Sequence, residues 1–175
     1  MKTWIEPLKR MSACEEALEW CESYNSLPDA WTACERGDWM LWLLGKLAGE
    51  ANSDSRKKLV LTACQCARLA LLYVKRGEKR PLKAIETAEK WARGEDGTSL
   101  EGVSLAARDA GVAAGAAAGA AAWAAWAAGV AAGAARAARD AGAAGAAGDA
   151  GAIQKKCADI VRQTYDAPSL KRESE

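Results

Sequence analysis

Apolar residues recur at spacings of three and four along most of this 175-residue chain, as in amphipathic helices. Segments 13–24, 57–74 and 81–93 each carry an apolar stripe, and 153–165 repeats it near the carboxyl end. Segment 39–48 is apolar on nearly every side, which predicts a central buried helix or an oligomer contact. The strand pattern, an alternation with a period of two, does not occur in the sequence. The pattern therefore predicts an all-α fold.

Polar and glycine residues at the segment ends indicate where helices begin and end. Ser12 with Glu15, and Thr98 with Glu101, have the spacing of capping boxes, which predicts two helix starts. Gly94 follows a periodic segment and is expected to be its left-handed C-terminal cap. These signals divide the chain into helices joined by short turns.

Residues 106–152 consist almost entirely of alanine and glycine. Each interior glycine costs roughly 1 kcal/mol of helix propensity relative to alanine, so the glycines must serve another purpose. Gly111, Gly115 and Gly119 are spaced four apart, which predicts a stripe of small residues that allows close backbone approach. One straight helix of this length would be too long for a compact domain, so the array is expected to fold back.

We interpret the chain as a single-domain bundle of helical hairpins with a closely packed Ala/Gly-rich helical array. The all-α domain covers 1–166, with Trp/Cys-rich helices at 12–95 and Ala/Gly-rich helices at 98–165, and a flexible polar tail follows at 167–175. The uncharged stretch 110–135 is long enough to span a bilayer. Alanine and glycine contribute little hydrophobicity, however, and its two tryptophans lie mid-stretch, so no membrane insertion is expected.

Composition argues against catalysis and against large charged partners. The 24 basic and 23 acidic residues leave a net charge of +1, so attraction to duplex nucleic acid is not expected. The chain has no histidine, the commonest general base and metal ligand, and no familiar catalytic motif. We therefore expect a non-enzyme without metal or cofactor. The six cysteines without a signal-peptide pattern indicate reduced thiols and a cytoplasmic location.

Two groups of residues are candidate binding sites. The first is a basic cluster that suits a phosphate or nucleotide, although the pattern favours charges solvated at a helix end: Lys75, Arg76, Lys79, Arg80 and Lys83. The second suits a protein partner, although the pattern favours core tryptophans and a solvated helix face: Trp31, Trp39, Trp42, Glu15, Glu19 and Glu22.

Three blocks, 13–20, 30–46 and 84–95, together with Cys157–Arg162, carry a resemblance to known sequences. They resemble a family of small, alanine-rich bacterial and phage proteins that are labelled immunity proteins. The resemblance implies neutralisation of a toxin or a role in a mobile element, inside a bacterial cell. The chain departs from the family by using glycine and tryptophan in the array, where relatives favour tyrosine and acidic residues.

The functional hypothesis is a non-catalytic binding protein of immunity or anti-defence type. It would neutralise a toxin or a host-defence component by sequestration. One alternative is a sponge for a nucleotide immune signal, in which the basic cluster binds the phosphates. Another is a purely structural, oligomeric scaffold, and a homodimer is consistent with the apolar segment 39–48.

Overall fold

A computed structural model describes residues 2–50, 52–73, 76–113 and 147–170. Within these ranges the chain forms α-helices and one short 3-10 turn, Leu71–Tyr73, and no strand. The prediction of an all-α fold is therefore confirmed. In chain order the helices are α1 (Glu6–Arg10), α2 (Glu15–Cys21), α3 (Leu27–Ala33), α4 (Gly37–Leu47), α5 (Asp54–Ala70), α6 (Arg80–Arg93), α7 (Leu100–Ala113) and α8 (Ala147–Thr164).

Several helix ends are fixed by local hydrogen bonds. The Ser26 Oγ accepts from the Asp29 backbone N–H at 3.3 Å, and the Ser53 Oγ accepts from the Arg56 N–H at 3.3 Å, so serines cap α3 and α5. Gly94 ends α6 in the left-handed conformation, with φ +73°, as the sequence predicts. The Arg56 guanidinium donates to the carbonyls of Gly45 and Ala48, which ties the end of α4 to the start of α5.

The two predicted capping boxes are wrong. Ser12 adopts a positive φ of 65°, and Cys14 occupies the N-cap position of α2, two residues later. The cap before α7 is Ser99, whose Oγ accepts from the Gly102 N–H at 3.1 Å, while the Thr98 hydroxyl donates to a turn carbonyl. Ser99 and Thr98 offer equivalent capping chemistry, so the spacing to Glu101 alone did not distinguish these two neighbours.

The core is centred on α4, α5 and α8. Helix α4 packs against both α5 and α8, α5 also packs against α6, and α6 packs against α7. Residues from Met40 to Gly45 are all buried, so the apolar character of α4 on every side is explained by burial within one chain. Of the two interpretations of segment 39–48, the structure therefore supports the central helix.

Helices α4 and α8 approach closely at Gly37. A Cβ added to Gly37 would come within 2.8 Å of the backbone nitrogen of Ala158. This position therefore requires glycine for space. The contact places the start of α4, and the turn that precedes it, directly against α8.

Several predictions fall on residues outside the described ranges. They concern the packing of Gly115 and Gly119, the place where the array folds back, and Lys75. Of the tail predicted at 167–175, residues 167–170 are described, and Ala167 and Leu170 pack against the core. The rest of the tail lies outside the described ranges. None of the helices in the described part of the chain has the length and apolar content that a membrane crossing requires.

Candidate acidic–aromatic binding face

Helix α2 and the start of α4 together build a surface that is both aromatic and acidic. We call it the acidic–aromatic face: Trp20, Tyr24, Trp39, Arg36 and Glu16 form its centre. The spacing of Glu15, Glu19 and Glu22 places these three further glutamates around the side of α2 from Trp20. The four glutamates are exposed, whereas the three aromatic side chains and Arg36 are half-buried. A surface with large rings accessible beside exposed charges is the composition expected of a protein-binding site.

The three aromatic rings contact one another. The ring centroids of Trp20 and Tyr24 lie 4.5 Å apart, and those of Trp20 and Trp39 lie 5.7 Å apart. Both pairs are tilted rather than stacked face to face, which is a favourable arrangement for aromatic quadrupoles. Mutual contact restricts the rotamers of these side chains, so little side-chain entropy remains to be lost on binding.

Arg36, in the turn before α4, holds the face together. It binds Asp38 through two hydrogen bonds, Nε to Oδ1 at 2.9 Å and Nη2 to Oδ2 at 2.8 Å, and donates from Nη1 to Glu16 at 3.0 Å. Its guanidinium carbon also lies 4.3 Å from the centre of the Trp39 ring, a cation–π contact. The hydrogen bonds to Asp38 raise the pKa of the Arg36 guanidinium. The Asp38 carboxylate, only 4% exposed, thus has a permanently charged partner.

Helix α8 supports this turn from behind. The Gln154 side-chain oxygen accepts from the Asp38 backbone N–H at 3.1 Å, and Lys155 forms an ion pair with Glu35. The Arg162 Nη1 donates to the Cys34 carbonyl at 2.6 Å, just beyond the end of α3. The turn between α3 and α4 is therefore anchored by a helix that lies more than 100 residues away in sequence.

An apolar cavity of about 60 Å³ lies beneath the aromatic rings. Helices α1 to α4 all contribute to its lining, which includes Leu8, Ala17, Trp31, Trp39 and Trp42. The indole N–H of Trp31 is buried and has no acceptor among the described residues. The Trp4 indole N–H and the Tyr165 hydroxyl, which do not line the cavity, are in the same state, so the unpaired donor is not particular to the cavity.

The structure separates the predicted partner-binding residues into two groups. Glu15, Glu19 and Glu22 are exposed, and within the described ranges none of the three forms an ion pair. Trp39 is half-buried and belongs to the face. Trp31 and Trp42, at 6% and 8% exposure, are core residues that line the cavity.

The predicted partner-binding set left out four residues of the face, namely Trp20, Tyr24, Arg36 and Glu16. The first two follow Glu16 at intervals of four, a spacing that places them on one side of α2 and its extension. That signal was present in the sequence. The proximity of Arg36 to Glu16 depends on how α2 and α4 pack, and no local pattern carried it.

The basic cluster has a different character. Arg76, Lys79, Arg80 and Lys83 are exposed around the start of α6, as expected of charged residues there. An internal carboxylate occupies the position that an anion would take, because Glu78 accepts from the Arg80 backbone N–H at 2.9 Å and from its guanidinium. These hydrogen bonds from Arg80 lower the pKa of Glu78 to about 2, so the carboxylate stays charged.

At four of the buried cysteines the protein environment disfavours the thiolate. Burial raises the pKa of Cys21 to about 11 and that of Cys64 to about 12. Burial likewise raises the pKa of Cys34, while contact with the Cys157 side chain and burial raise that of Cys66. The thiolate is the nucleophilic and metal-binding form, so these four thiols are poorly suited to either role. Among the residues that the structure describes, no group of histidine, cysteine or carboxylate residues could hold a metal ion.

Comparisons with family models, with curated proteins and with solved structures found no match to this chain. The resemblance to immunity proteins therefore stays a prediction.

Proposed function

We propose that this protein is a non-catalytic binding protein of immunity or anti-defence type, which sequesters a protein partner through the acidic–aromatic face. The observation that carries the proposal is the half-buried cluster of Trp20, Tyr24 and Trp39. Glu16 lies beside it, and the neighbouring side of α2 carries three exposed glutamates that form no ion pair within the described ranges. Tryptophan and tyrosine are enriched among the residues that dominate binding energy at protein interfaces. The partner would be a toxin or a defence effector in the cytoplasm of a bacterial host.

The charge of the face favours a basic partner. Helix α2 carries Glu15, Glu16 and Glu19 and no lysine or arginine, and Glu22 follows directly after it. Two positive charges lie beside these glutamates: Arg36 pairs with Glu16, and the Lys2 ammonium donates to the backbone carbonyls of Glu22 and Tyr24. The carboxylates still outnumber them by four to two. Charge complementarity of this kind accelerates association and disfavours acidic competitors. Sequestration needs no chemistry beyond such binding, which is consistent with the protonated state of the buried thiols.

The alternative of a nucleotide sponge has less support. Its phosphate site would lie at the start of α6, where the Glu78 carboxylate already accepts the hydrogen bonds of Arg80. A phosphate would have to displace Glu78 and would then be repelled by it. A base that stacked on the half-buried Trp20 or Trp39 would lie beside Glu16. The negative charge of that carboxylate would disfavour the polyphosphate of the nucleotide.

The alternative of an oligomeric scaffold also has less support than partner binding. It drew on the apolar helix α4, and the structure buries that helix inside one chain. The other candidate surface, the Ala/Gly array, lies mostly outside the described residues. A homodimer stays a prediction, which light scattering tests directly.

The proposal is tested by charge reversal on the face. The immobilised protein is used to capture partners from a bacterial lysate, and each captured protein is purified and titrated against the free chain by calorimetry. We expect Glu19→Lys combined with Glu22→Lys to weaken binding by about tenfold or more, equivalent to about 1.4 kcal/mol. Co-expression should also show that wild type, and not this variant, relieves the growth inhibition caused by the captured protein.

The matched control reverses two exposed glutamates elsewhere, Glu86→Lys on α6 and Glu101→Lys on α7. This variant undergoes the same change of net charge and should retain binding. Equal weakening by both variants would mean that net charge, and not the face, governs association. A captured protein that binds both variants normally would overturn the assignment of the face.

A further inference from the structure

The outer sides of α5 and α8 carry large apolar residues that the described part of the chain leaves accessible. Leu72, in the 3-10 turn directly after α5, is 87% exposed. Leu69 on α5, and Ile153 and Ile160 on α8, are only half-buried at the edge of the core. We call these four residues the Leu/Ile face. Single exposed apolar residues are common, whereas a contiguous group of them marks a surface against which something else packs.

The relative direction of the two helices shows that the group is contiguous. The Cys66 Sγ lies 3.8 Å from the Cys157 carbonyl oxygen, and the Lys58 Nζ lies 4.6 Å from the centre of the Tyr165 ring. A step of eight residues back along α5 therefore corresponds to a step of eight residues forward along α8, so the two helices are antiparallel. Continued the other way, this register places the end of α5 beside the start of α8.

The Leu/Ile face follows the seam between these helices. Ile153 and Ile160 lie four residues before and three residues after the α8 cysteine of that contact, so they share the side of α8 that faces α5. Leu69 lies three residues after the α5 cysteine of the same contact. The antiparallel register brings Leu69 level with Ile153, and Leu72 lies one turn further, beside the first turns of α8.

We propose that the Leu/Ile face is the docking surface for the Ala/Gly-rich segment 114–146 of this same chain. This segment lies outside the described ranges, and its sequence and its point of attachment identify it as the occupant. The inference goes beyond the proposed function, because it concerns neither the acidic–aromatic face nor a partner.

The composition of segment 114–146 complements the face. All but six of its 33 residues are alanine or glycine, and its large apolar residues are Trp123, Trp126 and Val130. Small side chains allow a neighbouring element to approach closely, but they offer little apolar surface of their own to bury. Well-packed cores set large residues against small ones. The leucines and isoleucines of the face supply the large residues that the segment lacks.

Connectivity and charge favour this segment over a separate partner. The segment ends where α8 begins, at Ala147, and the helix register places the start of α8 beside Leu72. A tether of this kind gives the segment a high effective concentration at the face. Residues 110–135 include no charged side chain, so their docking removes no ionised group from water. A second copy of this chain offers the same segment without the tether and is an outcome of the test below.

The first experiment places the photo-crosslinking amino acid p-benzoylphenylalanine at position 72 of the full chain. Irradiation and peptide mass spectrometry should identify crosslinks to 114–146 within monomeric protein, at a yield that dilution does not change. The same probe at Gln163, another exposed position on α8, is the matched control. We expect it to give about tenfold fewer crosslinks to the segment.

The second experiment compares two leucines by thermal unfolding. Leu47, at the end of α4, is 42% exposed, whereas Leu72 is 87% exposed within the described part of the chain. Without a further covering element, Leu72→Ser would therefore lower the melting temperature less than Leu47→Ser. Docking of the segment buries Leu72 and reverses this order. We expect Leu72→Ser to lower the melting temperature by about 3 °C or more, and by more than Leu47→Ser does.

Three outcomes would overturn the docking. The first is that position 72 gives no crosslink to 114–146. The second is that such crosslinks occur only in covalent dimers and decline on dilution, which would assign the face to a second copy. The third is that Leu72→Ser lowers the melting temperature no more than Leu47→Ser. The acidic–aromatic face is tested separately by charge reversal, so the docking can fail while the proposed function stands.

Discussion

The acidic–aromatic face and the basic cluster before α6 are both exposed and charged, yet they differ in what lies around the charge. At the basic cluster, Glu78 accepts the hydrogen bonds of Arg80, so this arginine and the N–H at the start of α6 already have a carboxylate partner from within the chain. At the face, Arg36 is directed to Asp38 and Glu16, and three other glutamates are left without ion pairs in the described ranges. The face also covers an apolar cavity. Charge alone is therefore a poor guide to a binding site, and charge beside accessible aromatic surface is a better one.

The largest expected difference between the two regions concerns their arginines. Arg36→Met should destabilise the fold by about 3 kcal/mol, because it leaves the buried Asp38 carboxylate without its partner. The double variant Arg36→Met with Asp38→Leu should recover much of this loss, since no buried charge remains. Arg80→Met should change stability far less, because its pair with Glu78 is accessible to water. Urea unfolding gives the free energy of unfolding of all three variants. Equal losses of stability in Arg36→Met and Arg80→Met would contradict the expected difference between the two regions.

A second prediction concerns the close contact between α8 and the start of α4, the helix that carries Trp39. Gly37→Ala should destabilise the fold by about 2 kcal/mol, because the added methyl group meets the backbone of α8. Gly151→Ala is the matched control, with open space around it on α8. It should stabilise the helix by roughly 0.5–1 kcal/mol. Thermal unfolding of both variants provides the measurement, and a neutral Gly37→Ala would contradict the close approach.

A smaller effect is expected in the titration of Glu78. NMR should give a pKa of about 2 for this carboxyl, rising toward its ordinary value of 4.5 in Arg80→Met. The folded pKa is lowered, so the ion pair stabilises the fold above about pH 4.5 and this contribution is lost as the pH falls toward 2. The contribution is small because the pair is exposed. A pKa near 4.5 in wild type would show that Glu78 does not neutralise the cluster.

The smallest expected effect is on nucleotide binding. ATP should leave the melting temperature of wild type unchanged, because Glu78 occupies the start of α6. In Glu78→Gln the competing charge is removed, so a small stabilisation by ATP is expected. If ATP stabilised wild type and this stabilisation disappeared in Lys83→Gln, the nucleotide sponge would be favoured. The basic cluster, and not the acidic–aromatic face, would then be the better candidate binding site.

The helices themselves were largely predictable, whereas their caps were not. The periodic segments predicted the ends of α4, α5 and α6 to within a few residues. A helix that buries one face has apolar residues at spacings of three and four, and this spacing can be recognised in the sequence. The predicted cap at Gly94 is confirmed, since few residues other than glycine adopt a positive φ without strain. Thr98 failed as a cap because its neighbour Ser99 takes that role. Ser12 failed because it adopts a positive φ, and α2 begins after Cys14, whose side chain forms no cap hydrogen bond. Helix existence was thus better determined than helix boundaries.

The candidate site was predicted only in part. Glu15, Glu19 and Glu22 are exposed and Trp39 is accessible, as a partner-binding surface requires. Trp31 and Trp42 are buried, and sequence gave no means of separating them from Trp39, because all three lie in apolar segments. Which tryptophan reaches the surface depends on how α2, α3 and α4 pack against one another. The pairing of Glu78 with Arg80 depends on the conformation of the turn before α6, which the run of basic residues in the sequence does not specify.

By itself, the sequence determined the all-α class and the approximate positions of the helices, since both follow from local periodicity and composition. It left open whether segment 39–48 is a central helix or an oligomer contact, and the packing of α4 against α5 and α8 favours the central helix. Tertiary structure decided which residues form the acidic–aromatic face. Arg36 meets Glu16 across 20 residues of sequence, and Gln154 and Arg162 on α8 hold the turn that carries Arg36. The cavity likewise exists because four helices meet around it. Such contacts depend on the three-dimensional arrangement of distant segments, which no local pattern records.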